Sequence, residues 1–233
     1  MDLSLVCGES AVSVASAGVG SRRARRLLVC AFPLRGAEIP YLTEGPPRAS
    51  RSPMKPGTRT GWLLAGVRDG ETVAEHSYRV GVLAYVIAAC EGANPERAAT
   101  LGLFHDLPET RIGDVPSVGK KYVTTAAAHD IVTDQTAGLP EDLRNRIVAA
   151  VDEHESAKTP EGTPESRCSR DADKFECLLQ AREYQREGYT ELDEWVRSSA
   201  EAVTTATGKA LAAAALEVSP GQWWGSFARA VGR

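Results

Sequence analysis

The sequence predicts an all-α bundle. Three observations carry that expectation. From residue 60 onward capping residues precede apolar positions at helical spacing, the breaks fall at Pro and Gly, and no convincing alternating strand interrupts the pattern. The first clear helix opens at "TVAE", residues 72–75, a capping box in which Thr72 caps and Glu75 reaches back. Val80, Leu83, Ala84, Ile87 and Ala88 follow at helical spacing. After a short loop around 92–94 comes "NPERAATLGLFHD", with Asn94 as cap, Pro95 at the first helical position and Pro108 as the stop. The spacing predicts a further helix from Ser117 to about Gly138, and one over 140–156 with Leu143, Ile147, Ala150 and Val151 on one face. Thr163-Pro164 opens a long helix that runs to Gly188, and a single helix follows over about 191–216. Short loops join these into a bundle. The C-terminal "GQWWGSFARAVGR" sets two tryptophans side by side, suited to covering the bundle or joining a subunit interface.

A chain of 233 residues accommodates one domain with a full core, or a domain plus an arm. Hydrophobic residues at 42% and charged residues at 25% are ordinary for a globular chain, and a net charge of −4 speaks against a nucleic-acid binder. No run approaches the ~18–20 apolar residues that span a bilayer. The five cysteines are scattered without a Cys-x-x-Cys, which points to a reducing, cytoplasmic setting with neither a disulfide framework nor a thiolate zinc site. Residues 1–53 differ in composition. They hold Arg22, Arg23, Arg25 and Arg26, the short apolar "LLVCAFPL" and the Pro/Arg/Ser-rich "EGPPRASRSPMKPG" at their end. We read them as a disordered or loosely packed arm ahead of a domain over residues 54–233.

"TLGLFHDLPET", residues 100–110, places His105 and Asp106 together at the end of an apolar stretch, with Glu109 just beyond. His76 lies near the start of the preceding helix. A short connection makes the two helices antiparallel neighbours. At 1.5 Å per residue the first rises ~22 Å from His76 to its end and the second returns ~15 Å to His105. His76, His105 and Asp106 therefore fall within about a turn of one level. Imidazole and carboxylate together suit a divalent ion such as Mn²⁺, Fe²⁺, Co²⁺ or Zn²⁺. A further ligand is on offer in "SRDADKFECLLQAREY", residues 169–184, where Asp171 and Asp173 border the apolar set Ala172, Phe175, Leu178 and Leu179. On spacing alone, such an aspartate with Lys174 and Glu176 beside it reads as a solvated flank.

The order "RTGWLLAGV … AEHSYRV … LFHDLPET-RIGDVPS … DADKFECLLQAREY" over residues 59–187 resembles the HD-domain phosphohydrolases, and within them the 5′-deoxynucleotidase branch. The resemblance implies an HD-type helical fold in which His76, His105, Asp106 and Asp173 hold one divalent metal ion, Mg²⁺ being a further candidate. It implies Glu109 as the general acid or base and Asp114 as the contact to the sugar. Val115, Pro116 and Ser117 line that edge, and Arg59 and Trp62 orient the phosphate and close the pocket. A homodimer is a further family expectation. Members usually have a helix just before "RTGW"; here the matching "PRASRSPMKPG" is too proline-rich for one.

The implied reaction is metal-dependent hydrolysis of a (deoxy)nucleoside 5′-monophosphate to nucleoside and phosphate. Three rival readings remain. The substrate is a modified nucleotide or another small phosphate ester of a biosynthetic pathway. His129 and His154 complete a dinuclear phosphodiesterase or oxygenase site. Or the chain binds a nucleotide without turnover.

Overall fold

The computed structural model describes residues 57–232, and the expected arm over residues 1–53 lies outside them. Among the described residues the regular structure is helical, with one isolated antiparallel bridge between Thr58 and Thr72. The helices are α1 (Gly61–Leu64), α2 (Val73–Glu91), α3 (Pro95–Phe104), α4 (Glu109–Ile112), α5 (Ala128–Gln135), α6 (Glu141–Ser156), α7 (Pro164–Glu187), α8 (Asp193–Glu201), α9 (Ala206–Glu217) and α10 (Gln222–Ala230). No helix among them is long and apolar enough to cross a membrane.

Local signals set these boundaries. The Thr72–Glu75 capping box is formed in full, and Gly92 closes α2 with a left-handed φ of 73°. Asn94 caps α3 ahead of Pro95, and Thr163 caps α7 ahead of Pro164. Gly188 ends α7 at φ 106°.

Helix α7 is the axis of the bundle, packed against α2, α3, α6, α8 and α9. Ala172 and Cys168 of α7 join Val80, Ala84, Ile87 and Ala88 of α2 and Ala98 of α3 in one core cluster. Helices α2 and α3 come close because two glycines face each other. A Cβ on Gly102 would stand 3.2 Å from Gly81 Cα and 3.1 Å from a Val80 methyl. A second cluster sets Trp62, Ala65 and Val67 against Ala181, Tyr184 and Leu192, which anchors α1 to the far end of α7.

Three expectations are corrected. Residues 117–138 are not one helix: a 3₁₀ turn at Gly119–Lys121 gives way to an irregular stretch, and α5 begins only at Ala128. Residues 122–127 are all exposed, so no apolar face rewards a helix there, and the β-branched run Val123, Thr124, Thr125 disfavours one. The loops are accordingly not all short. Residues 191–216 form two helices, because the chain breaks at Val203–Thr205. The Asp171 carboxylate, fully buried, accepts from Thr204 N at 3.0 Å, Thr205 N at 2.6 Å and Thr204 Oγ1 at 3.1 Å, while Thr205 caps α9 through Gly208 N. Leu143 is 36% exposed, so the inner face of α6 runs instead through Ile147, Val148, Ala150, Val151 and His154. In α10, Trp223 and Trp224 are exposed, and Trp224 stacks on Phe227.

Asp171→Ala removes the acceptor for two backbone donors at the start of α9. We expect a loss of about 2–3 kcal/mol in urea unfolding, seen as a lower midpoint at constant slope. A midpoint equal to the parent's would rule out this capping role.

Candidate metal centre and cavity

His76 stands one turn into α2 and is fully buried. Its Nδ1 lies 2.5 Å from Glu176 Oε2 on α7, also fully buried. Against a carboxylate this short, Nδ1 carries the proton and donates. His105 terminates α3, and its Nδ1 donates to Gly102 O at 2.7 Å. Both imidazoles are thereby held with the Nε2 lone pair turned away from its own anchor. The two Nε2 atoms are buried without a hydrogen-bond partner. Asp106 and Asp173 face them: His105 Nε2 is 3.1 Å from Asp106 Oδ2, and His76 Nε2 is 3.5 Å from the same oxygen and 3.4 Å from Asp173 Oδ1.

Lone pairs opposed to carboxylate oxygens with no proton between them repel one another. A divalent cation among them removes that repulsion, so the donor set fits such an ion. His76, His105 and Asp106 offer ligand atoms within 4.8 Å of one another. A second set of that size, His76 with Glu176 and Cys177, fits less well. Glu176 is turned to the other nitrogen of His76, and burial pushes the Cys177 thiol up to about 12. Without a cation the histidine takes up the charge. Burial works against a charged His76, but its bonds to Asp173 and Glu176 prevail and push it up to about 9. Burial likewise opposes a charged Asp106, yet His105 and His76 hold it well below the usual carboxylate range.

The solvated-flank reading of Asp171 and Asp173 is corrected, for both are buried, and Glu176 is the residue of this site that sequence reasoning missed. Glu176 is fully buried. It accepts from Arg79 Nε at 2.8 Å, and Arg79 also reaches Gln180 at 3.0 Å and Glu183 at 2.9 Å. The signal was present in the spacing: Asp173, Glu176 and Gln180 share one face of α7 at i, i+3 and i+7.

A cavity of about 480 Å³ opens beside the cluster, lined by Arg59, Trp62, His105, Asp106, Glu109 and Asp173, and by Asp114 to Ser117 on another side. Every site residue expected from the sequence except His76 thus lines it, and His76 lies behind its wall. Glu109 Oε2 is buried without a partner. Burial, then the carboxylates of Asp106 and Asp114, push this carboxyl up to about 8. Arg59 Nη1 is buried without a partner as well, while Nη2 lies 3.6 Å from Cys177 Sγ. Asp114 Oδ2 accepts from Thr60 N at 2.6 Å, which ties the "GDVPS" loop to "RTGW". Trp62 is 2% exposed, and its indole donates to Glu71 at 3.0 Å. Its body is core, and only an edge reaches the cavity.

The other two histidines part ways. His129 is exposed and pairs with Asp152 at 2.9 Å, outside the cavity lining. His154 is buried, bonded to Ser169 Oγ at 2.8 Å, with its ring 4.9 Å from that of His105. It lines the cavity, but without His129 the pattern expected of a dinuclear site lacks a member.

Burial and the neighbouring His105 press His154 down to about 4. The unfolded chain takes up that proton near pH 6.5, so the stabilisation is complete above 6.5 and disappears as pH falls toward 4. We expect the stability difference between the metal-stripped parent and His154→Gln to shift against the parent by on the order of 3 kcal/mol over that window. A pH-independent difference in denaturant titrations would refute the buried neutral state.

A family model described as "HD domain" matches residues 53–215. The 5′-deoxynucleotidase hdd1 of Schizosaccharomyces pombe is 33% identical over 148 residues, 61% of this chain and 72% of that protein. The 5′-deoxynucleotidase HDDC2 of Homo sapiens is 32% identical over 129 residues, and there the chain spans 61% of the relative's length, less than two thirds. A conserved hypothetical protein from Pyrococcus furiosus shares the fold with a TM-score of 0.56 at 25% identity, over 71% of this chain and 94% of that one. With the family model spanning the described helices from α1 to α9, the chain belongs to the HD-domain family.

Proposed function

We propose that this chain is a metal-dependent phosphomonoesterase that removes the 5′-phosphate from (deoxy)nucleoside monophosphates, with His76, His105, Asp106 and Asp173 as ligands of one divalent ion. The observation that carries the reading is the pair of buried, unpartnered Nε2 atoms facing two carboxylates, with an unpartnered Arg59 nitrogen lining the same cavity. The names of the fungal and vertebrate relatives support the substrate class.

When bound, the cation supplies charge neutralisation at phosphoryl oxygens and a more acidic water. The chain's own residues do the rest. Arg59 fixes the phosphate by charge-assisted hydrogen bonds from a guanidinium whose Nη1 is otherwise orphaned. A water oxygen bonds to phosphorus, the bond from phosphorus to the 5′ oxygen breaks, and the departing oxygen needs a proton. Glu109 is the cavity carboxyl without a hydrogen-bond partner on Oε2, and it moves that proton. Held up to about 8, it is a donor near neutral pH; opposed by a nearby cation, it ionises and becomes an acceptor. Asp114, with Oδ2 committed to Thr60, contacts the sugar, and Val115 to Ser117 form the adjoining wall.

Two measurements test this. Purified protein should carry close to one divalent ion per chain, and chelation should abolish phosphate release from dAMP, dCMP and dTMP until metal is restored. Release from none of them would end the substrate proposal, and two ions per chain would favour a dinuclear site. Glu109→Gln should lower kcat by about 10²–10⁴ while metal content stays at the parent level. Full turnover in that variant would remove Glu109 from the mechanism.

A further inference from the structure

Five Lys and Arg side chains line the cavity: Arg59, Lys120, Lys158, Arg170 and Lys174. Two of them are paired within the protein: Lys174 with Asp173 at 2.9 Å and Lys158 with Glu155 at 2.6 Å. Arg59, with its own unpartnered Nη1, faces Asp106, Asp173 and Glu71 and is the residue assigned above to the scissile phosphate. Lys120 is exposed on the 3₁₀ turn, where water solvates it.

Arg170 is different. Its Nε is buried without a partner, and no carboxylate among the described residues pairs with its guanidinium. A buried N–H without an acceptor is costly, and the half-buried guanidinium opens on the cavity, so a ligand there can bring the acceptor that Nε lacks. Its position is firmly set. Ser169 is held by His154 and Asp171 by the first turn of α9, so the residue between them cannot turn away. Arg170, Asp173, Lys174 and Cys177 recur at i, i+3, i+4 and i+7, and all four line the cavity. Arg170 lies about 4.5 Å of helix rise from Asp173, away from Cys177 and Arg59. The charge it presents is therefore a turn removed from the ions that meet the scissile phosphate.

We propose that Arg170 holds a second phosphate of the substrate. The favoured substrate class is then a small phosphomonoester carrying another phosphate, such as a nucleoside 3′,5′-bisphosphate. A planar guanidinium fork suits a tetrahedral anion better than a lysine would. The inference rests on the phosphomonoesterase reading for its reaction, but not for its binding step.

The test compares 2′-deoxyadenosine 3′,5′-bisphosphate with dAMP, by steady-state kinetics on the metal-loaded protein and by calorimetric titration of the metal-free protein. The parent should prefer the bisphosphate by at least tenfold in both KM and Kd. Arg170→Gln should collapse that ratio toward one, and Arg170→Lys should restore part of it, with melting temperature confirming that both variants fold. A ratio that survives Arg170→Gln overturns the assignment. So does equal weakening of both ligands, which would place Arg170 on the scissile phosphate or on the base. If the parent hydrolyses neither ester, the hydrolase reading fails, and the titration ratio alone decides on Arg170.

Discussion

The bond between His76 Nδ1 and Glu176 Oε2 joins two fully buried groups from helices a hundred residues apart. Neither tolerates that burial alone. An ionised carboxylate with no access to water is destabilising by several kcal/mol unless it is paired and its remaining lone pairs are satisfied. Arg79 meets that condition: it sits one turn beyond His76 and clasps Glu176, Gln180 and Glu183 in sequence along α7. The clasp fixes the register of α2 against α7 and the tautomer of His76 together. Were α2 to slip by one residue, the imidazole would lose Glu176 and the guanidinium would lose its fork.

With His76 fixed, the rest of the cluster follows from backbone geometry. The facing glycines Gly81 and Gly102 bring α3 against α2, and α3 ends where its last carbonyls are free to take a side chain. His105 uses one of them, Gly102 O, as its anchor. Asp106, in the turn that follows, then lies between the two rings. Crowding four acids and several cations into one partly dry space drives the titrations apart. Burial raises Glu71 to about 7 and Glu109 to about 8, whereas Asp106, facing the imidazoles, and Asp173, beside Lys174 and His76, are held down. Carboxyls of opposite protonation side by side are what proton transfer and cation binding require of one site.

The helix ends were legible in the sequence because each rests on a local signal: Thr72 with Glu75, Asn94 with Pro95, Thr163 with Pro164, and the left-handed glycines 92 and 188. So was the meeting of His76 with His105, since helix rise and a short loop fix the level. What was not legible depends on partners distant in sequence. The β-branched run Val203–Thr205 and the cap residue Thr205 are weak local hints of a break; the acceptor that makes it favourable is Asp171, more than thirty residues earlier. Tyr122 to Ala127 carry a β-branched run that only weakly disfavours a helix, and what decides against one is the lack of a neighbour to bury against. Glu176 was not singled out because the partners that answer its charge, Arg79 and His76, lie roughly a hundred residues away.

The stretch Ser169–Asp173 shows how one helix serves several masters. Each residue turns about 100° from the last. Ser169 therefore meets His154 of α6, Arg170 meets the cavity, and Asp171 caps α9. Ala172 packs into the core with α2 and α3, and Asp173 faces His76. Two acids two places apart thus have unrelated work, one holding a neighbouring helix and the other facing an imidazole. The division also explains why Arg170 cannot relieve its own isolation. The nearest carboxylates along its helix, Asp171 and Asp173, are already committed to α9 and to the imidazole cluster, so neither is free to accept from its buried Nε.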